Sequence, residues 1–122
     1  MREMQKIVQP AKKNGITAII ASDQAVIQYA VTAGMPVHMS TQANISNMAA
    51  VRFWSRFADV MVTARELSLG QVEALVRQIR KEKICGPSGV PVRIEIFAHG
   101  ALCMAISGKC YLSLDQYNSS AN

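Results

Sequence analysis

Residues 92–113, VRIEIFAHGALCMAISGKCYLS, decide how the chain is read. The stretch opens as a strand, with Val92, Ile94 and Ile96 alternating with Arg93, Glu95 and Phe97. At His99-Gly100 the alternation stops. Small and sulfur-bearing residues follow, and Cys103 and Cys110 flank a segment punctuated by Gly108-Lys109. An apolar strand that delivers a titratable side chain at its carboxyl end, followed by two thiols, has the order of a site as well as of a core.

Upstream, helical repeats and short apolar runs alternate. Residues 2–13 put Met4, Ile7, Val8 and Ala11 on one helical face, and Asn14-Gly15 stops the helix with Gly15 as a left-handed cap. Residues 16–21, ITAIIA, read as a strand covered on both faces. Ser22-Asp23 ends it and caps a helix over 24–33, which Gly34 closes. A second strand, 35–39, delivers Ser40, Thr41 and Gln42. Asn44 starts a helix that runs to Phe57, with Ala49, Ala50, Phe53, Trp54 and Phe57 on its apolar side. The third strand, 59–63, leads to Arg65-Glu66. Ser68 caps a helix over 71–83, in which Val72, Leu75, Val76 and Ile79 recur at helical spacing. Residues 85–89, CGPSG, are a loop, and the fourth strand occupies 92–98.

This αβαβαβαβ alternation predicts the α/β class, with parallel strands joined by right-handed crossovers in a single domain over residues 1–122. Four such strands fit an open doubly wound sheet or part of a (β/α)8 TIM-like barrel. No Gly-x-Gly-x-x-Gly follows the first strand, which counts against dinucleotide binding.

Composition narrows the function classes. Half of the residues are hydrophobic, yet no apolar run is long enough to span a membrane. The opening MREMQKIVQP has no apolar h-region and is not expected to act as a secretory signal. Three cysteines, an odd number, count against a secreted disulfide scaffold, so the expected compartment is the cytoplasm. The net charge of +5 favours an anionic partner such as RNA. Against that, much of the surplus lies at Lys6, Lys12, Lys13 and in 77–83, on helix surfaces that carry charge anyway.

In parallel α/β folds, ligands bind at the carboxyl ends of the strands. The groups delivered there are Ser22 and Asp23, then Ser40, Thr41 and Gln42, then Arg65 and Glu66, then His99. The other edge receives Gly15, Pro36, Asp59 and Pro91, which are turn residues. Ser22, Asp23 and Ser68 are explained by helix capping. Arg65 and His99 are not. Arg65 suits a carboxylate or phosphate held in a bidentate fork, and His99 suits proton transfer near neutral pH. Glu95 is expected to pair with Arg65 or to line a barrel, because a buried carboxylate needs a partner. Gln42 and Asn44 can read the edge of a planar ring. His38, earlier on its strand, reads as a hydrogen-bonded core histidine. The sequence reading thus gathers Gln42, Arg65 and His99 in one cavity beside the thiols.

Three segments carry a resemblance. EIFAHGALC (95–103) with SGKCYLS (107–113), HMSTQ (38–42) followed by Asn44, and ARELS (64–68) occur in the order and register of a known pattern. On these residues the chain resembles the collagenase-like peptidase family U32. The resemblance implies a barrel of which this chain is a central piece, cut at both ends. From the strand-end reading, the candidate catalytic groups are His99, Arg65 and Glu95, and the candidate substrate contacts are Ser40, Thr41, Gln42, Asn44 and Glu66. Some members of the family are described as proteases. Others hydroxylate RNA bases or the ubiquinone ring without oxygen and bind a 4Fe–4S cluster through four cysteines.

By themselves Cys103 and Cys110, a Cys-x₆-Cys pair, are a weak metal motif. The resemblance makes them two of the four cluster ligands of the full-length parent, with the remaining two expected beyond residue 122, and no cluster held stably by this piece alone. Cys85 lies outside the motif and reads as a bystander. The alternative mechanism is peptide hydrolysis by a Cys103–His99 pair, for which no third orienting residue is evident. A third reading is a catalytically silent homo-oligomer formed through exposed sheet edges.

Overall fold

The computed structural model of the protein describes residues 2–101 and 103–118. Leu102 of the motif and residues 119–122, where the chain was expected to lead toward a further cysteine, lie outside them. The elements are α1 (Arg2–Lys13), β1 (Ile19–Ala21), α2 (Gln24–Thr32), β2 (Val37–Met39), a 3₁₀ turn (Thr41–Ala43), α3 (Met48–Trp54), β3 (Val60–Val62), α4 (Leu69–Glu82), β4 (Arg93–Glu95) and α5 (Tyr111–Tyr117). The four strands form one sheet in the order β1-β2-β3-β4, and every neighbouring pair is parallel. The chain is therefore of the α/β class that its alternation predicts.

Sequential parallel order sends each right-handed crossover the same way, so the helices gather on one face of the sheet. The core shows this. Val8 of α1, Ile27 and Ala30 of α2, Val51 of α3 and Ile79 of α4 join Ala21, Val37, Met39 and Met61 from the strands in one buried cluster. The register aligns Ala21, Met39, Met61 and Ile94 on that face. On the other face it aligns Ile20, His38, Val60 and Arg93, with Val62 opposite Glu95. A doubly wound sheet would cover both faces with helices. Here Ile20 is 70% exposed. This is the arrangement of a partial β/α barrel, whose interior is the face away from the helices.

Several local expectations need correction. The run 16–21 is not covered on both faces, since its β-structure is confined to Ile19–Ala21 and Ile16 and Ile20 are exposed. Asn44 does not begin a helix. It sits in the left-handed region at φ 49° and closes the 3₁₀ turn, while Asn47 caps α3 by accepting from Ala50 N at 2.9 Å. Beyond Glu95 the chain leaves the sheet, and Phe97 is 64% exposed. His38 is half-buried on the open face, and among the described residues its side chain makes no hydrogen bond to protein. The capping expectations hold for Asp23 and Ser68 but not for Ser22, whose hydroxyl donates to Gln42 Oε1 at 3.2 Å instead. Asp23 accepts from Ala25 N and Val26 N, and Ser68 forms a capping box with Gln71.

The edge that receives the strands' amino ends is built as a turn. Asp59 accepts from Ser88 N at 3.1 Å and Ser88 Oγ at 2.7 Å, which pins the loop before β4. Met61, fully buried at the centre of β3, carries the core. Met61→Ala is expected to lower stability by about 2–5 kcal/mol, read from urea unfolding monitored by far-UV circular dichroism.

Candidate functional site

A cleft of about 810 Å³ opens at the carboxyl ends of β3 and β4. Residues 63–67 form one wall and residues 96–101 another, and Cys103, Met104, Ala105 and Ile106 close the rim. Arg65, Glu66, His99 and Cys103 all face it, among apolar groups that include Leu69, Val72, Ile96 and Phe97. Gln42 is elsewhere. It lines a neighbouring depression of about 340 Å³ with Ser22, Asp23 and Ser40, and its Oε1 accepts from Ser22 Oγ at 3.2 Å. The cavity expected to hold Gln42, Arg65 and His99 is thus two hollows side by side.

The segment between the cysteines packs against residues that line both hollows. Ser107 is 1% exposed, and its hydroxyl accepts from the Arg65 backbone N–H at 3.2 Å. Its own N–H donates to Glu66 Oε1 at 2.7 Å. Thr41 Oγ1, which donates to Thr63 O at 3.2 Å, lies 3.5 Å from Ser107 Oγ. Gly108 follows at φ 85°, and a Cβ there would stand 2.6 Å from Gln42 O. Only glycine satisfies both the left-handed backbone and that close approach. Ser40 Oγ accepts from Gln42 N at 3.2 Å and holds the 3₁₀ turn in place. Thr41 thus meets the turn between the cysteines, Ser40 and Asn44 cap the 3₁₀ turn beside it, and all three stand outside the lining of the larger cleft.

Arg65 has a different partner from the one expected. Its Nη2 donates to Ala105 O at 3.1 Å. Among the described residues the ion pairs are Lys6–Glu3, Arg52–Glu82 and Arg77–Glu73, so Glu95 is not bound to Arg65. The physical reason is register. Glu95 stands opposite Val62 on the open face of an edge strand and is exposed, so it has no buried charge that needs a partner. Arg65 instead serves the thiol segment. Hydrogen bonding by its guanidinium holds the Cys103 thiol below its ordinary value, helped by the Ala105 backbone and opposed by slight desolvation and the Glu66 charge. Cys110 is lowered as well, chiefly by Ser113, whose Oγ lies 3.1 Å from its Sγ. The Cys103 charge pushes the Cys110 value back up. Among the described residues no three His, Cys, Asp or Glu side chains converge on a point that could hold a metal ion.

Ser107 is the residue that sequence reasoning passed over. It stands in the quoted Ser-Gly-Lys-Cys run, but nothing in the run assigns it a task. The available signal was a small hydroxyl beside a glycine between two thiols, a place where a side chain can satisfy strand-end backbone.

The family can now be stated. The model of peptidase family U32 matches residues 1–122. The chain belongs to peptidase family U32. It is 60% identical over 119 residues to a protein named collagenase from Porphyromonas gingivalis, covering 98% of this chain and 29% of the relative. It is 38% identical over 109 residues to tRNA hydroxylation protein P of Escherichia coli, covering 87% and 22%. It is 32% identical over 119 residues to the 23S rRNA 5-hydroxycytidine C2501 synthase of Escherichia coli, covering 97% and 16%. The chain thus spans less than a third of the length of each of these relatives. No solved structure matches it.

Two titrations follow from the geometry. The Glu66 carboxyl is held below its ordinary value of 4.5, first by the Ser107 N–H. Its bond therefore steadies the turn above the unfolded-state value and is lost as pH falls through the folded-state value. Hydrogen exchange at the Ser107 amide should accelerate below pH 4.5, beyond the intrinsic trend, and Glu66→Gln should abolish that extra step. For Cys103, Arg65→Ala should raise the thiol's titration midpoint and slow its alkylation by iodoacetamide at neutral pH, with Cys110 changing less.

Proposed function

We propose that the whole protein is a cytoplasmic U32 enzyme that hydroxylates an RNA base or a related aromatic ring, using a 4Fe–4S cluster held in part by Cys103 and Cys110. The observation that carries this reading is the tuned thiol pair. Both thiols are held below their ordinary values, and Cys103 faces a cleft lined by Arg65 and His99. Thiolates suit iron, and the two fit as half of a four-cysteine set, the others coming from elsewhere in the whole protein. When bound, such a cluster supplies one-electron chemistry at the rim of the cleft.

The chain's own residues define the rest. The apolar wall with Phe97 and Ile96 accepts the face of a flat ring. His99 moves a proton at the ring edge. Arg65 keeps Cys103 in place, and Glu66 holds the turn behind it. Relatives named for tRNA and 23S rRNA hydroxylation support RNA as the substrate class. The net charge of +5 agrees with it.

A second reading is peptide hydrolysis, favoured by the 60% identity to a protein named collagenase. It needs His99 to activate Cys103. The groups that lower Cys103 are Arg65 and the Ala105 backbone, and among the described residues no His99–Cys103 hydrogen bond is present. That pattern favours a ligand thiolate over a nucleophile paired with a base.

The test is the whole protein purified without oxygen. A broad visible absorption of iron–sulfur type should be present and should disappear in Cys103→Ala and Cys110→Ala. His99→Ala should retain the absorption and lose about 10²–10⁴-fold in RNA hydroxylation rate. Cleavage of gelatin by cluster-free protein, abolished by Cys103→Ala, would overturn this reading in favour of the peptidase.

A further inference from the structure

We infer that Ser107 is a positioning residue: it clamps the ends of β2 and β3 to the turn between the cysteines and thereby fixes the backbone that carries Cys103, at the cleft rim, and Cys110. The inference rests on the reading of Cys103 and Cys110 as ligands, and it assigns a task to a residue that touches neither substrate nor metal.

The contacts converge on one buried side chain. Ser107 is 1% exposed in a region where most neighbours are open to water, Cys103 and Met104 included. Its hydroxyl accepts from Arg65 N at 3.2 Å, and its N–H donates to Glu66 Oε1 at 2.7 Å. The same hydroxyl meets Thr41 Oγ1 at 3.5 Å. Arg65 closes a loop of contacts by returning from β3 to Ala105 O at 3.1 Å. Four contacts thus bind the 105–107 backbone to two strand ends. Outside this turn the thiol segment has little to hold it. Residues 98–101 and 103–104 are exposed, and α5 buries none of its residues. The turn closes on itself through Lys109 N and Ile106 O at 2.9 Å, but without the clamp it is no longer anchored by Ser107 to the strand ends, and ordering the cysteines becomes a larger cost of ligand binding.

A hydrogen bond to a charged acceptor is the stronger kind, so the Glu66 tether should matter alongside the hydroxyl. Glutamine at 66 keeps an oxygen for the Ser107 N–H, whereas alanine does not. This gives a conservative variant that separates tethering from charge.

The experiment uses the 122-residue chain, reduced, with the surface thiol removed by Cys85→Ser, and Cd²⁺ alone as the probe. Calorimetry and sulfur–cadmium ultraviolet absorption report whether both thiols bind one ion, with Cys103→Ala and Cys110→Ala as controls. The clamp predicts that Ser107→Ala weakens Cd²⁺ affinity about tenfold or more while far-UV circular dichroism is retained, in keeping with the loss of ordering worth about one hydrogen bond. Glu66→Ala should weaken it in the same direction, and Glu66→Gln should restore most of the loss. In the same samples, hydrogen exchange at the Arg65 amide should speed up in Ser107→Ala. Should Ser107→Ala fail to fold, the Glu66 pair, on an exposed side chain, decides the matter. Unchanged Cd²⁺ affinity in Ser107→Ala and Glu66→Ala overturns the clamp and leaves the ligand reading standing. Failure of the parent chain to bind Cd²⁺ through both thiols overturns both.

Discussion

Each strand of this protein lies parallel to the one before it and follows it in chain order. That constraint governs the rest. Parallel neighbours force a crossover between every pair, and constant handedness sends each crossover to the same side. The helices therefore pile onto one face and bury Val8, Ile27, Val51 and Ile79 against Met39 and Met61. The opposite face keeps Ile20 and Glu95 in the open and leaves His38 half-buried. All four carboxyl ends meet at one edge, and that edge is where a cleft can form.

The edge alone does not make the site. Strands of three residues leave long connections, and those connections would wander without tethers. The Ser107 contacts supply them, joining the end of β2 to the end of β3 through a turn that belongs to neither. Gly108 permits the close approach by having no side chain where Gln42 O stands. The result is a division of labour between two hollows. Arg65, Glu66, His99 and Cys103 share the larger one, and Ser22, Ser40 and Gln42 share the smaller.

Charge placement at the rim has a consequence for chemistry. Arg65 lies between a carboxylate and a thiol and contributes to the lowering of both. A guanidinium so engaged serves first to organise the protein, and its donors are already directed at Ala105 O and the Cys103 region. Membership of family U32 includes relatives named for RNA hydroxylation and for collagenase activity, so the family does not choose between chemistries. The environment of the thiols does more to distinguish them than overall identity, because a nucleophile and a metal ligand need different neighbours.

Much was legible in the sequence because it depended on local periodicity and capping. The four apolar runs, the intervening helices, the caps at Asp23 and Ser68 and the polar groups at strand ends are all consequences of residues close in the chain. The segments resembling family U32 were legible for the same reason, as fixed short-range patterns. What tertiary structure decided is every partnership across distant segments. Glu95 and Arg65 are complementary in charge, yet the register of an edge strand turned Glu95 to the open face while Arg65 reached Ala105. Asn44 looks like a helix start, but the turn before it needed a left-handed residue there. Ser107 has no periodic signal, since its importance lies in three contacts made 41, 42 and 66 residues away. Local preferences fix which elements form. Only packing of the whole chain fixes which side chains then face each other, because those contacts are set by sheet register and loop docking rather than by neighbours in sequence.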